Sequence, residues 1–294
     1  MYRRRGRGGF RLWPILLFGV FLAYYYFSNQ QEVPITGRKQ LVDISREQEM
    51  ALGLQSYNQI LSQSRVVSGG EAVDVVRRVG GRIARAAADV DPGFQWEFNV
   101  IDSPQVNAFA LPGGKVAVYT GILPVAANPD GLAAVMGHEI SHAIARHGAE
   151  RMAYQKLIQF GSMAASVALG GMDIDTQRAI MGALGVGSQY GILLPFSRKH
   201  ETEADYMGLI FLARACFDPR EAPRLWQRMS QQSRGAPQEF MSTHPSNETR
   251  IRQFREWMPM ALEIRKRYCD GEGNMALEPA PGVNVRNSGE KVRM

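Results

Sequence analysis

Two histidines stand four residues apart in LAAVMGHEISHAIARHGAERM, residues 132–152, with a glutamate directly after the first: His138, Glu139 and His142. The run is rich in Ala, Ile and Met and has no proline, so it reads as a helix. Positions four apart on a helix stand one turn above each other. Both imidazoles then leave the same face and can share one metal ion, while Glu139 sits beside them, aimed at a water in the ion's open position. Leu132, Val135, Met136, Ile140, Ala143 and Ile144 give the same helix an apolar face. Such a helix must be buried on one side and open to a cleft on the other, and the rest of the chain has to supply both.

A catalytic zinc takes three protein ligands and leaves the fourth position to water. The stretch from Ser197 to Arg214 is helical by pattern and carries Glu201, Glu203 and Asp205. Glu201 and Asp205 are four apart and share a face, whereas Glu203 points away. Glu201 is therefore expected as the third ligand, with Asp205 orienting a ligand imidazole through its other ring nitrogen. His200 lies a quarter turn away and would break that pairing. His147, five residues past His142, is off the ligand face and is expected to be structural or exposed.

The chain has 294 residues, of which 45% are hydrophobic, enough for one sizeable core. Its formal charge of +6 is largely Arg3, Arg4, Arg5, Arg7 and Arg11, which precede the fold. The body is near neutral, and no nucleic-acid partner is expected. Residues 12–27, LWPILLFGVFLAYYYF, carry no charge and read as a transmembrane signal-anchor, with Tyr24 to Phe27 as an interfacial belt. No small-residue cleavage site follows Ala23, which argues against a cleaved signal peptide. A basic arm lying on the membrane surface is the competing reading. The positive-inside rule keeps the arginines in the cytoplasm. The expected location is thus a bacterial inner membrane, single-pass, with the catalytic domain on the periplasmic side; a mitochondrial inner membrane is the alternative. Cys216 and Cys269 show no metal-ligand spacing, and their pairing is open.

The expected division is a basic arm over 1–11, the anchor over 12–27, a linker over 28–44, a catalytic domain over 45–262 and a polar, disordered tail over 263–294. Within the domain, Ser45 opens a helix with a capping-box signal, and 71–90 form a second, amphipathic helix. FQWEFNVIDS alternates like a half-buried strand, and VNAFALPGGKVAVYTGIL reads as a hairpin turning at Pro112-Gly113-Gly114. These make a small antiparallel sheet beside the metal helix. One edge, either Asn107 to Leu111 or Val116 to Thr120, is expected to pair with an extended substrate backbone, with Asn107, Ala108, Phe109 and Ala110 as contacts. Asp130 is the expected N-cap of the metal helix. Residues 157–195 read as two buried helices around a polar turn at Asp173 to Gln177, with a mobile lid or a membrane-touching hairpin as alternatives.

HEISH at 138–142, ETEAD at 201–205, ITGRKQL at 35–41 and NAFALPGGKVAVYTGIL at 107–123 together resemble the HtpX/BepA-like membrane-associated zinc metallopeptidases. That family also includes the CAAX prenyl proteases and mitochondrial Oma-type proteases. The resemblance covers roughly residues 34–260. It implies an α+β, mostly helical gluzincin (zincin) fold, one Zn2+ per chain on His138, His142 and Glu201, Glu139 as general base and Asp205 as helper. It also brings His244, in Thr243-His244-Pro245, toward the site, as an oxyanion donor or a reversible fourth ligand. Arg250 and Arg252 follow and are expected to anchor that loop or contact substrate. The implied function is endopeptidase action on misfolded or membrane-associated envelope proteins, the partners being protein or peptide substrates, the membrane and other envelope proteins. A membrane-tethered, chaperone-like binding protein with a latent or structural zinc is the alternative.

Overall fold

The computed structural model describes residues 11–188, 194–232 and 248–270. In chain order the elements are α1 (Trp13–Ser28), β1 (Gln30–Glu32), β2 (Lys39–Leu41), α2 (Arg46–Ser62), β3 (Val66–Val67), α3 (Glu71–Ala86), β4 (Glu97–Ile101), β5 (Ala108–Leu111) and β6 (Lys115–Tyr119). They continue with a short α4 (Leu123–Ala126), α5 (Pro129–Ile144), α6 (His147–Leu169), α7 (Ile174–Ser188), α8 (Leu194–Arg214), α9 (Glu221–Gln232) and α10 (Glu248–Cys269). The chain is mostly helical with small sheets, an α+β fold. It divides into two compact units, residues 1–45 with 146–201 and residues 46–145 with 202–294, so the boundary falls inside α8.

The second unit holds the core. α3 starts with Glu71 and Asp74 in its first turn and has Arg85 in its last, charges that suit the helix dipole. Its buried stripe of Val73, Val76, Val79 and Ile83 packs on α5 and β4. The helix stops at Ala86, four residues short of the expected end, where Ala87 donates back to Ile83 and Ala84 and closes the last turn. The sheet runs β3-β4-β6-β5. β5 and β6 form the expected antiparallel hairpin, and its turn needs positive φ at Gly113 and Gly114. The expectation of a wholly antiparallel sheet fails at β4 and β6, which pair in parallel from Glu97↔Lys115 to Ile101↔Tyr119. A connection long enough to include β5 lets the chain return in the same direction.

Tyr57 of α2 seals the other face, donating its hydroxyl to the Val116 carbonyl at 2.9 Å and packing with Ile101 and Ala117. α10 runs on to Cys269, past the start expected for the tail, with Pro259 inside it. Cys269 is joined to Cys216 in a disulfide with Cα atoms 5.7 Å apart. That bond ties the end of the last described helix to the loop after α8. Residues 271–294, expected to be disordered, lie outside the described residues, as does the basic arm up to residue 10.

The first unit places α1 antiparallel to α6: the Arg11 amide donates to the Ala168 carbonyl at 3.0 Å, Phe21 meets Phe160 edge to face, and Tyr25 packs with Ala153 and Leu157. The stretch expected to be a linker instead holds the β1–β2 hairpin, registered Gln30↔Leu41 to Glu32↔Lys39. Arg38, in that hairpin, forks onto Glu150 of α6 at 2.9 and 2.7 Å. Burial pushes the Glu150 carboxyl up, but hydrogen bonds from Arg38 and His200 and the Arg38 charge outweigh it and hold it below its usual range. Among the described residues no helix is long and apolar enough to cross a membrane. α1, at 16 residues, measures about 24 Å against a hydrocarbon core of about 30 Å.

α6 and α7 supply the two expected helices, but the break between them lies at residues 170–173 and not at Asp173 to Gln177, and the expected burial fails at Phe160, Met163, Val167, Ile174 and Leu184, which are all exposed. The single helix expected over 132–152 is also two. α5 ends at Ile144 and α6 begins at His147, because Arg146 takes a left-handed conformation with φ of 59°. That conformation costs about 1–2 kcal/mol for a residue with a Cβ. It is offset by the Arg146 side chain, which donates to Gln31 Oε1 at 2.6 Å and to the Ile44 carbonyl at 3.0 Å.

Candidate metal centre and active site

α5 is started by Asn128, not by Asp130 as expected. Asn128 has extended backbone and its Oδ1 accepts from the Gly131 amide at 2.8 Å, while Pro129 takes the first helical position, where no amide is needed. Asp130 lies one residue further in and accepts from the Asp218 amide at 2.8 Å, tying the helix start to the loop before α9. The helix is buried along nearly its whole length, Leu132, Val135, Met136, Ile140, Ala143 and Ile144 included.

Beside the first histidine, α5 meets α8 through two glycines. A Cβ on Gly208 would lie 2.9 Å from the Gly137 carbonyl carbon and from the His138 amide nitrogen. Both are backbone atoms and cannot swing aside. Gly208→Ala is therefore expected to force the helices apart, lowering the thermal midpoint and weakening zinc binding together. Thermal unfolding alongside metal titration checks this, and an unchanged zinc affinity would show that the close approach does not position His138.

His138, Glu139 and Glu201 are buried and His142 is half-buried. The ligand atoms of His138, His142 and Glu201 all lie within 4.8 Å of one another. The two Nε2 atoms are 3.1 Å apart. His138 Nδ1 is 3.0 Å from Asp205 Oδ1, which fixes its proton on Nδ1 and leaves the Nε2 lone pair facing His142. Two ring nitrogens at this separation, with a carboxylate alongside, repel unless a cation or a proton lies among them. Tetrahedral ligands at the zinc–nitrogen bond length would be about 3.3 Å apart. The donor types and the His138–His142 spacing therefore fit a zinc ion, with three donors among the described residues.

Behind His138 the buried charges form a relay. Asp205 Oδ1 and Oδ2 each accept from Arg250 at 2.6 Å, through Nη2 and Nε. Burial drives the Asp205 carboxyl upward, but the Arg250 charge and the bonds from His138 and Arg250 outweigh it and hold it below its usual range, so it stays ionised. Arg250 lies 3.6 Å over the Trp226 ring, and Trp226 meets His138 edge to face at 5.7 Å. Arg250, expected to anchor the His244 loop or to contact substrate, is 3% exposed, with its guanidinium on Asp205 and Trp226. Arg252, by contrast, is exposed.

The remaining expected residues are placed as follows. β5 is an edge strand of the four-stranded sheet and β6 is interior, so of the two candidate edges only Asn107 to Leu111 has the position to accept another strand. Ala108 is buried, whereas Asn107, Phe109 and Ala110 are half-buried. His200 is turned to Glu150 at 2.9 Å and stacks on His147 at 4.2 Å; both histidines are buried. His244 lies outside the described residues. Trp226 was missed: it sits in an ordinary amphipathic helix with no spacing to mark it.

A buried helix carrying paired histidines and a glutamate, completed by a carboxylate from a later helix, is the arrangement of a metal-dependent hydrolase. The model of peptidase family M48 matches residues 73–258, and the chain belongs to that family. It is 40% identical over 262 residues to the mitochondrial metalloendopeptidase OMA1 of Schizosaccharomyces pombe, covering 86% of this chain and 74% of that protein. Against human OMA1 the identity is 31% over 271 residues, covering 86% of this chain and 51% of the relative. The β-barrel assembly-enhancing protease of Escherichia coli K12 is 28% identical over 270 residues, covering 90% and 54%. The chain is a metalloendopeptidase.

Proposed function

We propose that the protein is a zinc-dependent endopeptidase held at an inner membrane by α1, cleaving misfolded or membrane-associated proteins on the oxidising side. The observation that carries the chemistry is the convergence of His138, His142 and Glu201 within 4.8 Å. Those three residues would hold the ion. When bound, zinc supplies a Lewis acid and lowers the pKa of a water toward about 7. Glu139 takes the proton of the attacking water and passes it to the leaving amine. Asp205 keeps His138 in the tautomer that presents Nε2, and Arg250 keeps Asp205 ionised. β5 takes the substrate backbone as an added strand over Asn107 to Ala110, which favours extended, unfolded segments. His244 donates to the oxyanion.

The Cys216–Cys269 bond supports an oxidising compartment, either the bacterial periplasm or the mitochondrial intermembrane space. The relatives at 40% and 34% identity that carry mitochondrial names support the second of these. Casein turnover by the full chain tests the reading: a chelator should abolish it and stoichiometric zinc should restore it. Turnover that survives complete removal of metal would refute the proposal.

A further inference from the structure

We propose that α1 is not the only membrane element, and that the α6–α7 hairpin lies with it in the hydrocarbon of the bilayer as one helical unit. The first observation is where exposed apolar surface sits. Among the described residues, the large apolar side chains left exposed outside the first unit are only Leu52, Leu54, Val66 and Tyr268. The others lie in the first unit, nearly all on α1 and the hairpin. Leu16 is 67% exposed, Val20 72%, Met163 62% and Leu184 46%. A water-soluble surface rarely carries a contiguous apolar area this extensive without a partner.

The second observation identifies the partner. α1 has no charged residue at all, so it offers no polar stripe to water and is apolar on every side. α6 carries Glu150, Arg151 and Lys156 in its first half and then no charge from Leu157 to Leu169. The two helices are antiparallel, and their uncharged lengths coincide: Arg11 is beside Ala168, Phe18 beside Gly161, Phe21 beside Phe160, and Tyr25 beside Leu157.

Charges close the band at both ends. Lys156 bonds Asp43 and Arg38 bonds Glu150 at one end. Arg11 stands at the other, where the α6–α7 turn brings Asp175 and Arg178, whose side chains are 88% and 75% exposed. The band between them is about 20 Å along α6 and about 24 Å along α1. A protein groove has no need for two helices to lose their charges over one shared slab; a hydrocarbon layer does. Arg11, at that end, suits an anionic headgroup.

This inference rests on the reading of α1 as a membrane anchor, and the test separates the two. The full chain, its native disulfide intact, is reconstituted in phosphatidylcholine–phosphatidylglycerol vesicles. It carries a single environment-sensitive fluorophore at Val20→Cys, Met163→Cys, Leu184→Cys or, as an exposed control in α2, Gln55→Cys. Lipids bearing nitroxides on the acyl chain serve as quenchers. The expected result is that labels at 20, 163 and 184 lose most of their emission and the label at 55 loses none. Quenching at 20 but not at 163 and 184 would overturn the hairpin inference and leave α1 as the anchor. Quenching at none of the three would overturn both. An unquenched label at 163, together with dimer formation when unlabelled Met163→Cys chain is treated with a bifunctional maleimide, would identify a second copy of this chain as the occupant and overturn the lipid assignment.

Discussion

Replacing Glu139 by Gln is expected to slow cleavage of an unfolded substrate by about 10²–10⁴-fold, the usual contribution of a positioned general base, while the chain keeps its zinc. The amide has nearly the shape of the carboxylate, and position 139 is buried in a well-packed helix, so the fold has no reason to change. The set of His138, His142 and Glu201 does not include residue 139, so the metal donors are untouched. What is lost is the capacity to accept a proton. Casein cleavage and metal content measured on the same preparation decide it. A Glu139→Gln protein with full activity would remove Glu139 from the chemistry, and one without zinc would show that it holds the ion.

The second large effect is expected at Arg250. Arg250→Met keeps a long apolar stem under Trp226 but removes both bonds to Asp205, leaving an ionised carboxylate with His138 as its remaining side-chain partner among the described residues. Breaking a buried pair from one side costs about 3–5 kcal/mol. Because Asp205 orients His138, zinc affinity should fall by about 10–100-fold as well. Arg250→Lys should recover little, since an ammonium can neither fork onto both oxygens nor lie flat on the Trp226 ring. Denaturant unfolding and zinc titration of the two variants check this. An unchanged midpoint in Arg250→Met would mean that Asp205 does not depend on Arg250.

The sequence carried the local part of this site and not the part that depends on distant partners. His138, Glu139 and His142 are legible because helical spacing alone puts two imidazoles on one face. Glu201 and Asp205 are legible because they are four apart on a second helix, and the structure places one among the ligand atoms and the other on His138 Nδ1. Arg250 lies 45 residues beyond Asp205, and nothing local distinguishes an arginine that will be buried from one that will stay in solvent. The same limit explains the sheet: alternation fixed β4, β5 and β6 as strands but cannot say that β4 and β6 run parallel. It also explains the break at Arg146. The side chains around it favour helix, and the left-handed turn is stabilised by Gln31 and Ile44, more than a hundred residues earlier. The apolar run after Leu157 read as core because hydrophobicity does not reveal whether protein or lipid will cover it.

The most direct measurement is zinc stoichiometry by mass spectrometry after equilibrium dialysis, made on the wild-type chain, His142→Ala and Glu201→Ala. The arrangement of two imidazoles and one carboxylate predicts one zinc per wild-type chain and a severe loss of affinity in each variant, with the fold retained by circular dichroism. A wild-type chain that binds no zinc, or a Glu201→Ala chain that binds it as tightly as wild type, would contradict it.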